Sequence, residues 1–319
     1  MKKELLVEGK TKKVWSCKDN PEMVVIENKS KITAFDDPLA TREFETKAKC
    51  ATNTTCRVFE LLKSAGIPVA YEKQLSETDF LAPYCEMIPL EVIARRYAVG
   101  SYLKRFPNMS TDTNNPDRFH SLKIELFLKT TKGELEISGE KVIEGLSPEK
   151  GEEDPLIIPN TVGVWELYHP KTPSWEKSAF LERIIEPQKV LISKSLSGIL
   201  VSEEKLFQHG DGSFDKAASI VAQEILQVIE EITRKTFLVL ESAWAQQNMR
   251  LIDFKIEFGF NSAGQLMVAD VIDNDSWRLR TKNWTELSKE SFRQGEDLTE
   301  VEKKYGIVSQ MVNNFRLPN

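Results

Sequence analysis

The sequence predicts an α+β fold built mostly on antiparallel strands, and three observations carry that prediction. Residues 251–260, LIDFKIEFGF, alternate apolar and charged side chains, the mark of a strand whose two faces see different surroundings. NSAG at 261–264 is a compact turn signal after which QLMVADVID resumes as a strand, so the two runs read as a hairpin. Two further stretches carry helical spacing. One runs from about Thr46 to Ser64 and stops at Ala65-Gly66-Ile67-Pro68; the other, Asp215 to Gln247, places Ala218, Val221, Ile225, Val228 and Ile232 on one face.

Taken in chain order, LLVEGKTKKVW and MVVIENKSKITAFDD read as two strands joined by the turn-like CKDNPE. The helix ending at Ser64 follows, then strands through Met87-Ile88-Pro89 and LEVIARRYAV. From about Lys129 to Pro187 the chain is rich in Gly, Glu, Pro and Lys with weak periodicity, which predicts an irregular insertion or lid. Asp215 to Gln247 predicts one long helix, or two broken near Thr236. In the hairpin, Ile252, Phe254, Ile256 and Phe258 face the core, and Asp253, Lys255 and Glu257 line the other face. With Asn261 to Gly264 as the loop, Phe260 opposes Gln265, Lys255 pairs with Asp270 and Glu257 with Val268. Glu257 and Asp270 are then diagonal neighbours on one sheet face, about 5–8 Å apart.

At 319 residues and 40% hydrophobic content the chain can form one large domain or two lobes around a sizeable core. A net charge of −6 and a pI near 5.5 argue against a general nucleic-acid binder, though not against a basic pocket for a small anion. The N-terminal MKKELLVEGK has no apolar run after its lysines and no later stretch has membrane-spanning length, so the expected address is cytoplasmic, with no membrane partner. Cys17, Cys50, Cys56 and Cys85 form no CxxC pair, and His120, His169 and His209 lie far apart, which argues against zinc and for reduced, structural cysteines.

The charged face of the predicted hairpin suits phosphate chemistry. Two carboxylates on one face repel unless a cation holds them, and magnesium uses one or two carboxylates completed by phosphate oxygens and water. Glu257 and Asp270 fit that role, with Asp253 and Lys255 beside them; a solvated Lys–Asp surface pair is the plain alternative. GKT at Gly9 to Thr11 is not a Walker A loop, because Glu4 stands where an earlier glycine is required. Lys10 and Lys12 instead alternate on one strand face, with Gly9 permitting close backbone approach, and can clamp polyphosphate; solvated strand lysines are the alternative. Asp36 and Asp37 close ITAFDD, where a turn or cap is the competing reading. In IARRYAVGSYLKR, Arg95 and Arg96, Gly100-Ser101, and Lys104 with Arg105 combine guanidinium forks, a small-residue approach point and a hydroxyl suited to a phosphate monoester. IDNDSWRLR carries Asp273, Asp275 and Arg278, but an EF-hand would need oxygen at Trp277, so calcium by that route is rejected.

EGKTKKVW, ITAFDD, MIPLEVIARRYAVGSYLKR, LFLK at 126–129, LIDFKIEFG and VADVIDNDSWRL together resemble, in order and over nearly the whole chain, the SAICAR synthetase family of purine synthesis. The resemblance implies a two-lobed fold related to ATP-grasp enzymes, with an ATP-binding lobe over 1–88, a lobe over 89–319 carrying the nucleotide-substrate and magnesium sites, and ATP between them. It implies ATP-dependent ligation of L-aspartate to carboxyaminoimidazole ribonucleotide (CAIR) through an acyl phosphate, releasing ADP and phosphate. By position, Gly9, Lys10 and Lys12 belong to the ATP phosphates and Glu86 and Met87 to the adenine. Glu257 and Asp270 belong to Mg2+, and Arg95, Gly100, Ser101 and Arg278 to the ribonucleotide phosphate. Asp36, Lys129, Asp253 and Lys255 belong to the reacting centre. The partners implied are CAIR and L-aspartate, and a homo-oligomer is left open. The last two blocks are similar to the animal form, in which this domain is fused to a carboxylase; no second domain of that kind fits in 319 residues. DNDSWR replaces the TPDSSR-type stretch of many members, and Glu153 stands where a histidine often precedes Asp-Pro. Two other readings share part of this pattern: another ATP-dependent carboxylate–amine ligase, and a nucleotide-binding domain without turnover.

Overall fold

The structure, a computed structural model, describes residues 2–33, 41–44, 46–131, 133–137, 140–143, 154–159, 165–168 and 214–317. In chain order it begins with β1 (Lys2–Glu8), β2 (Lys12–Cys17), β3 (Met23–Asn28), β4 (Lys31–Thr33) and β5 (Thr41–Glu43), then α1 (Lys47–Ser64). β6 (Lys73–Gln74), β7 (Asp79–Pro83), β8 (Cys85–Met87), β9 (Leu90–Tyr97), α2 (Ser101–Arg105) and β10 (Arg118–Leu128) follow. Next come β11 (Leu135–Ile137), β12 (Glu140–Ile143), β13 (Leu156–Pro159), β14 (Trp165–Tyr168) and the long helix α3 (Phe214–Ala245). The chain closes with β15 (Met249–Ile256), β16 (Phe258–Asn261), β17 (Leu266–Val268), β18 (Trp277–Thr281), α4 (Glu290–Arg293) and α5 (Leu298–Met311).

The opening segment holds one more strand than its pattern predicts. The Gly9 N–H donates to Lys12 O at 2.9 Å, so Gly9-Lys10-Thr11 turns the chain between β1 and β2. Lys10 therefore sits in the turn and only Lys12 lies on a strand, which corrects the expected alternation of both on one face. β2 continues into β3, and the sheet runs β1-β2-β3-β7-β6. α1 packs across it, with Phe59 edge-on to Phe80 of β7 at 6.4 Å. Its end is the expected one: Gly66 takes φ +71°, and the Ile67 N–H reaches back to Leu62 O at 3.0 Å.

The larger sheet has the order β14-β13-β10-β9-β15-β18, with antiparallel pairing throughout. α3 covers one face without a break at Thr236; Phe237, Leu240 and Trp244 are fully buried, and Phe237 meets Phe254 of β15 edge-on at 5.3 Å. The described residues of 129–187 include four strands, β11 to β14, with β13 adding to β10 through Leu126↔Ile157, so that part of the expected irregular insertion is sheet. The lid itself and Glu153 lie outside the described residues. No helix among the described residues is long and apolar enough to cross a membrane.

LIDFKIEFGF is two strands. β15 stays in the large sheet between β9 and β18, whereas β16 passes into a small sheet ordered β17-β16-β8. The Asn261 N–H bonds Gln265 O at 3.1 Å, and Asn261 Oδ1 accepts from the N–H groups of Ala263 and Gln265, which shortens the loop by one residue. Phe260 consequently opposes Leu266 and Phe258 opposes Val268, one residue away from the expected register. Lys255 does not pair with Asp270; it opposes Ile93 of β9. The register between β15 and β18 also shifts between Leu251 and Asp253, so Leu251 joins the main core while Ile252 packs with Tyr97 and Val99 apart from it. Phe254, Ile256 and Phe258 face the main core as expected.

Candidate active site

Two groups of charged side chains line the large sheet and its junction with the small one. The first gathers around Glu257, the single residue between β15 and β16. Glu257 is only 3% exposed, yet it is held by two lysines, Lys255 on β15 and Lys129 just past the end of β10. Lys129, whose N–H is fixed by Pro89 O at 2.8 Å, donates to Glu257 Oε1 at 2.8 Å and Oε2 at 2.7 Å. Lys255 donates to Glu257 Oε1 at 3.1 Å and to Glu91 Oε1 at 2.7 Å. Lys12, entering from β2, pairs with Asp270. Burial works to raise the Glu257 carboxyl, but the ammonium groups of Lys255, Lys129 and Lys12 outweigh it and bring it down to about 2. Burial pushes Lys12 down to about 8; the ammonium groups of Lys129 and Lys255 add to this and Glu257 opposes it. For Lys255 burial is outweighed by Glu91 and Glu257, which raise it above the ordinary lysine range. Three lysines and three acidic side chains thus form one charged floor.

The second group is a ladder of guanidiniums and carboxylates across β10, β9, β15 and β18. Arg95 is 1% exposed. Its Nε donates to Glu125 at 2.6 Å, its Nη1 to Asp253 Oδ2 at 2.7 Å and its Nη2 to Ser101 Oγ at 3.4 Å. Arg278 Nη1 donates to the same Asp253 oxygen at 2.7 Å, and its Nε reaches Glu290 at 3.3 Å. The register explains the meeting: Asp253 opposes Arg95 on one side and Arg278 on the other. Gly100 lies over this group with φ +60°, and a Cβ there would overlap Arg278 Nη2 and stand 2.9 Å from its Cζ. Only glycine lets the loop and the guanidinium share that space. Arg96 points to the opposite sheet face and forks onto Glu241 of α3 at 2.6 and 2.7 Å.

The fold therefore brings Lys12, Lys129, Lys255, Glu257 and Asp270 into one group and Arg95, Gly100, Ser101, Asp253 and Arg278 into another. Asp253 belongs with the guanidiniums, not with Lys255. Glu86 and Met87 lie on β8, where Met87 opposes Gly259; a Cβ at Gly259 would be 2.8 Å from Glu86 O, so β8 lies directly against the strand that follows Glu257. Gly9 and Lys10 occupy the β1–β2 turn, and Asp36 lies outside the described residues. Glu91, Glu125 and Glu290 were missed from sequence. For Glu91 a signal exists, since it shares the two-residue period of LEVIARRY with Arg95. Glu125 and Glu290 come from distant segments and carry none.

Carboxylate and ammonium groups of this kind can bind and neutralise a polyphosphate and its metal. Among the described residues no three His, Cys, Asp or Glu side chains form a metal cage. The ionised, hard oxygen donors of Glu257 and Asp270 still fit Mg2+, which takes few protein ligands and keeps waters and phosphate oxygens.

The architecture is a known one. A phosphoribosylaminoimidazole-succinocarboxamide synthase from Ehrlichia chaffeensis aligns over 99% of this chain and 100% of its own, with a TM-score of 0.64 at 21% identity. A SAICAR synthetase in complex with ADP gives a TM-score of 0.63 at 20% identity over 98% and 99% of the two chains. The Saccharomyces cerevisiae SAICAR synthase complexed with SAICAR gives 0.55 at 14% over 99% and 96%. The SAICAR synthetase family model matches residues 5–153 and 206–312. The chain belongs to the SAICAR synthetase family. It is 32% identical over 319 residues to a probable multifunctional protein ADE2 from Caenorhabditis elegans, covering 98% of this chain and 59% of that one. It is 30% identical over 277 residues to a phosphoribosylaminoimidazole-succinocarboxamide synthase from Roseiflexus castenholzii, covering 86% and 80%. The chain spans little more than half the length of the multifunctional and bifunctional relatives from Caenorhabditis elegans, rat and human that it matches.

Proposed function

We propose that this chain ligates L-aspartate to CAIR at the expense of ATP, giving SAICAR, ADP and phosphate. The observation that carries the proposal is the pairing of a half-exposed lysine floor with a buried guanidinium ladder, the two joined by β15. The floor suits a transferring phosphoryl group, because such transfer needs positioning and charge neutralisation more than a covalent protein nucleophile. Lys12 and the Gly9-Lys10 turn take the ATP phosphates, Glu86 and Met87 the adenine, and Glu257 with Asp270 the Mg2+, which when bound neutralises phosphate charge. ATP sits between the N-terminal region, 1–88, and the remainder, 89–319, in the manner of ATP-grasp enzymes.

Arg278, Gly100 and Ser101 take the ribonucleotide phosphate, with Arg95 and Asp253 fixing Arg278. A CAIR carboxylate oxygen attacks the γ-phosphorus as its bond to ADP breaks, giving an acyl phosphate. Lys129 and Lys255 offset the charge that develops. The aspartate nitrogen then attacks the acyl carbon, the C–N bond forms, and phosphate leaves. The amine proton passes to a base, a role we assign to Asp36 of ITAFD in preference to Asp253. Asp253 Oδ2 already accepts from two guanidiniums and acts as their anchor.

The test is ADP release with ATP and Mg2+, adding CAIR and L-aspartate separately and together, with the product identified by mass. Turnover only with both, yielding the succinocarboxamide, is expected. ADP release that depends on neither would remove this function and leave a ligase for other acids and amines, and no ADP release would leave a silent nucleotide-binding domain.

A further inference from the structure

The segment between Asp270 and Arg278 joins the two halves of the site, and its Asn274 and Asp275 side chains are tied to elements outside it. Asp275 is the centre of that attachment. Lys47, at the start of α1, is 1% exposed and places its Nζ 3.1 Å from Asp275 Oδ2. Lys289 approaches the same oxygen at 3.4 Å. Tyr305 of α5, also 1% exposed, donates its hydroxyl to Asp275 Oδ1. The Lys47 ammonium also lies 5.8 Å from the Tyr305 ring centroid. Burial opposes ionisation of Asp275, but Lys47 and Lys289 hold it well below the usual carboxylate range. Burial and the same carboxylate push the Tyr305 phenol far up, so it remains a donor.

The segment is bonded to the site as well as to this anchor. The Lys255 N–H donates to Ser276 O at 2.7 Å, so the backbone of a floor lysine hangs on the residue after Asp275. Ser276 Oγ donates to Val271 O at 3.1 Å, and the Asp275 N–H donates to Asp273 Oδ1 at 2.9 Å, closing the segment on itself.

We propose that Lys47 and Tyr305 are positioning residues which, by seating the Asp275 carboxylate, fix the spacing between the magnesium-side carboxylate Asp270 and the ribonucleotide-side guanidinium Arg278. Neither touches substrate, and their effect passes through the segment. This deepens the ligase function proposed above and rests on it.

The test uses Tyr305→Phe, Lys47→Met and Lys47→Arg, with Lys303→Gln on the exposed side of α5 as the control. Melting temperature, kcat, KM for CAIR and for ATP, and CAIR affinity by calorimetry without ATP or Mg2+ are read for each. Tyr305→Phe keeps its ring and loses one oxygen. It is expected to melt close to the wild type, bind CAIR about 10-fold more weakly without metal and lose about 10–100-fold in kcat/KM. Lys47→Arg is expected to recover most of what Lys47→Met loses, and Lys303→Gln to match the wild type. Lower melting temperatures with CAIR affinity and kinetic constants held within about twofold would overturn the inference and leave a core ion pair of purely structural use. Should Lys47→Met not fold, Tyr305→Phe decides alone. A wild type that turns over beside unaffected variants rejects this inference only; a wild type that neither binds CAIR nor turns over rejects the ligase function and this inference with it.

Discussion

The lysine floor and the guanidinium ladder are built on the same strand, β15, and behave as opposite kinds of site. In the floor, the Lys129 and Lys255 side chains keep 44% and 35% of their surface exposed around a Glu257 side chain at 5%. In the ladder, Arg95 and Asp253 keep 2% and 4%. Lysine is a compact charge on a flexible stem and can exchange a carboxylate for a phosphate, whereas a buried guanidinium fork is committed by its geometry to the partners it has. The difference teaches that one strand can carry both an accessible cluster whose lysines can exchange partners and a buried one whose guanidiniums are committed to theirs.

The largest expected effect is therefore in the ladder. Arg95→Ala leaves the buried carboxylates of Glu125 and Asp253 with one guanidinium each, Arg105 and Arg278, and should cost about 3 kcal/mol of stability, read by denaturant unfolding. An unchanged unfolding midpoint would dissolve the contrast between the two groups. Glu257→Gln should do the reverse, lowering turnover about 10²–10³-fold while costing about 1 kcal/mol, because its lysine partners remain hydrated. The Glu257 carboxyl lies at about 2, below its ordinary 4.5. Its contribution to stability is thus present above the ordinary carboxylate range and is lost as pH falls toward 2, and acid unfolding of the Gln variant should lack that component.

Gly100→Ala tests the edge of the ladder. The added Cβ meets the Arg278 guanidinium at a positive φ, so KM for CAIR should rise about 10-fold with a smaller change in kcat. Equal losses in both constants would place Gly100 outside ribonucleotide binding. The smallest effect is in pH. With Lys12 at about 8, kcat/KM for ATP should decline as pH rises through that value and the ammonium is lost. Lys12→Arg stays charged and should remove that limb; a limb that persists belongs to another group.

How far the sequence led differs from element to element. α1 and its glycine stop were legible because capping and periodicity are local. The β1–β2 turn was missed because GKT sits inside an alternating run and nothing local marks it as a break. The Glu257–Asp270 pair was reached through a wrong register: the side chain of Asn261 shortens the loop by one residue, and the two acids meet around Lys12 instead of across a ladder. Arg95, Ser101 and Arg278 were legible as residue types suited to phosphate; Asp253 was expected beside Lys255 instead, and Glu91, Glu125 and Glu290, which hold these residues or their neighbours, were not legible.

By itself the sequence determined the α+β class, the helical and extended segments, the membership carried by its ordered motifs, and most of the residues that meet at the site, since each depends on local periodicity or on motif identity. Only the tertiary structure decided the strand registers, the division of LIDFKIEFGF between two sheets, and which charge faces which. Those depend on loop lengths and on segments far apart in the chain, and a shift of one residue is enough to exchange an ion pair for a different one.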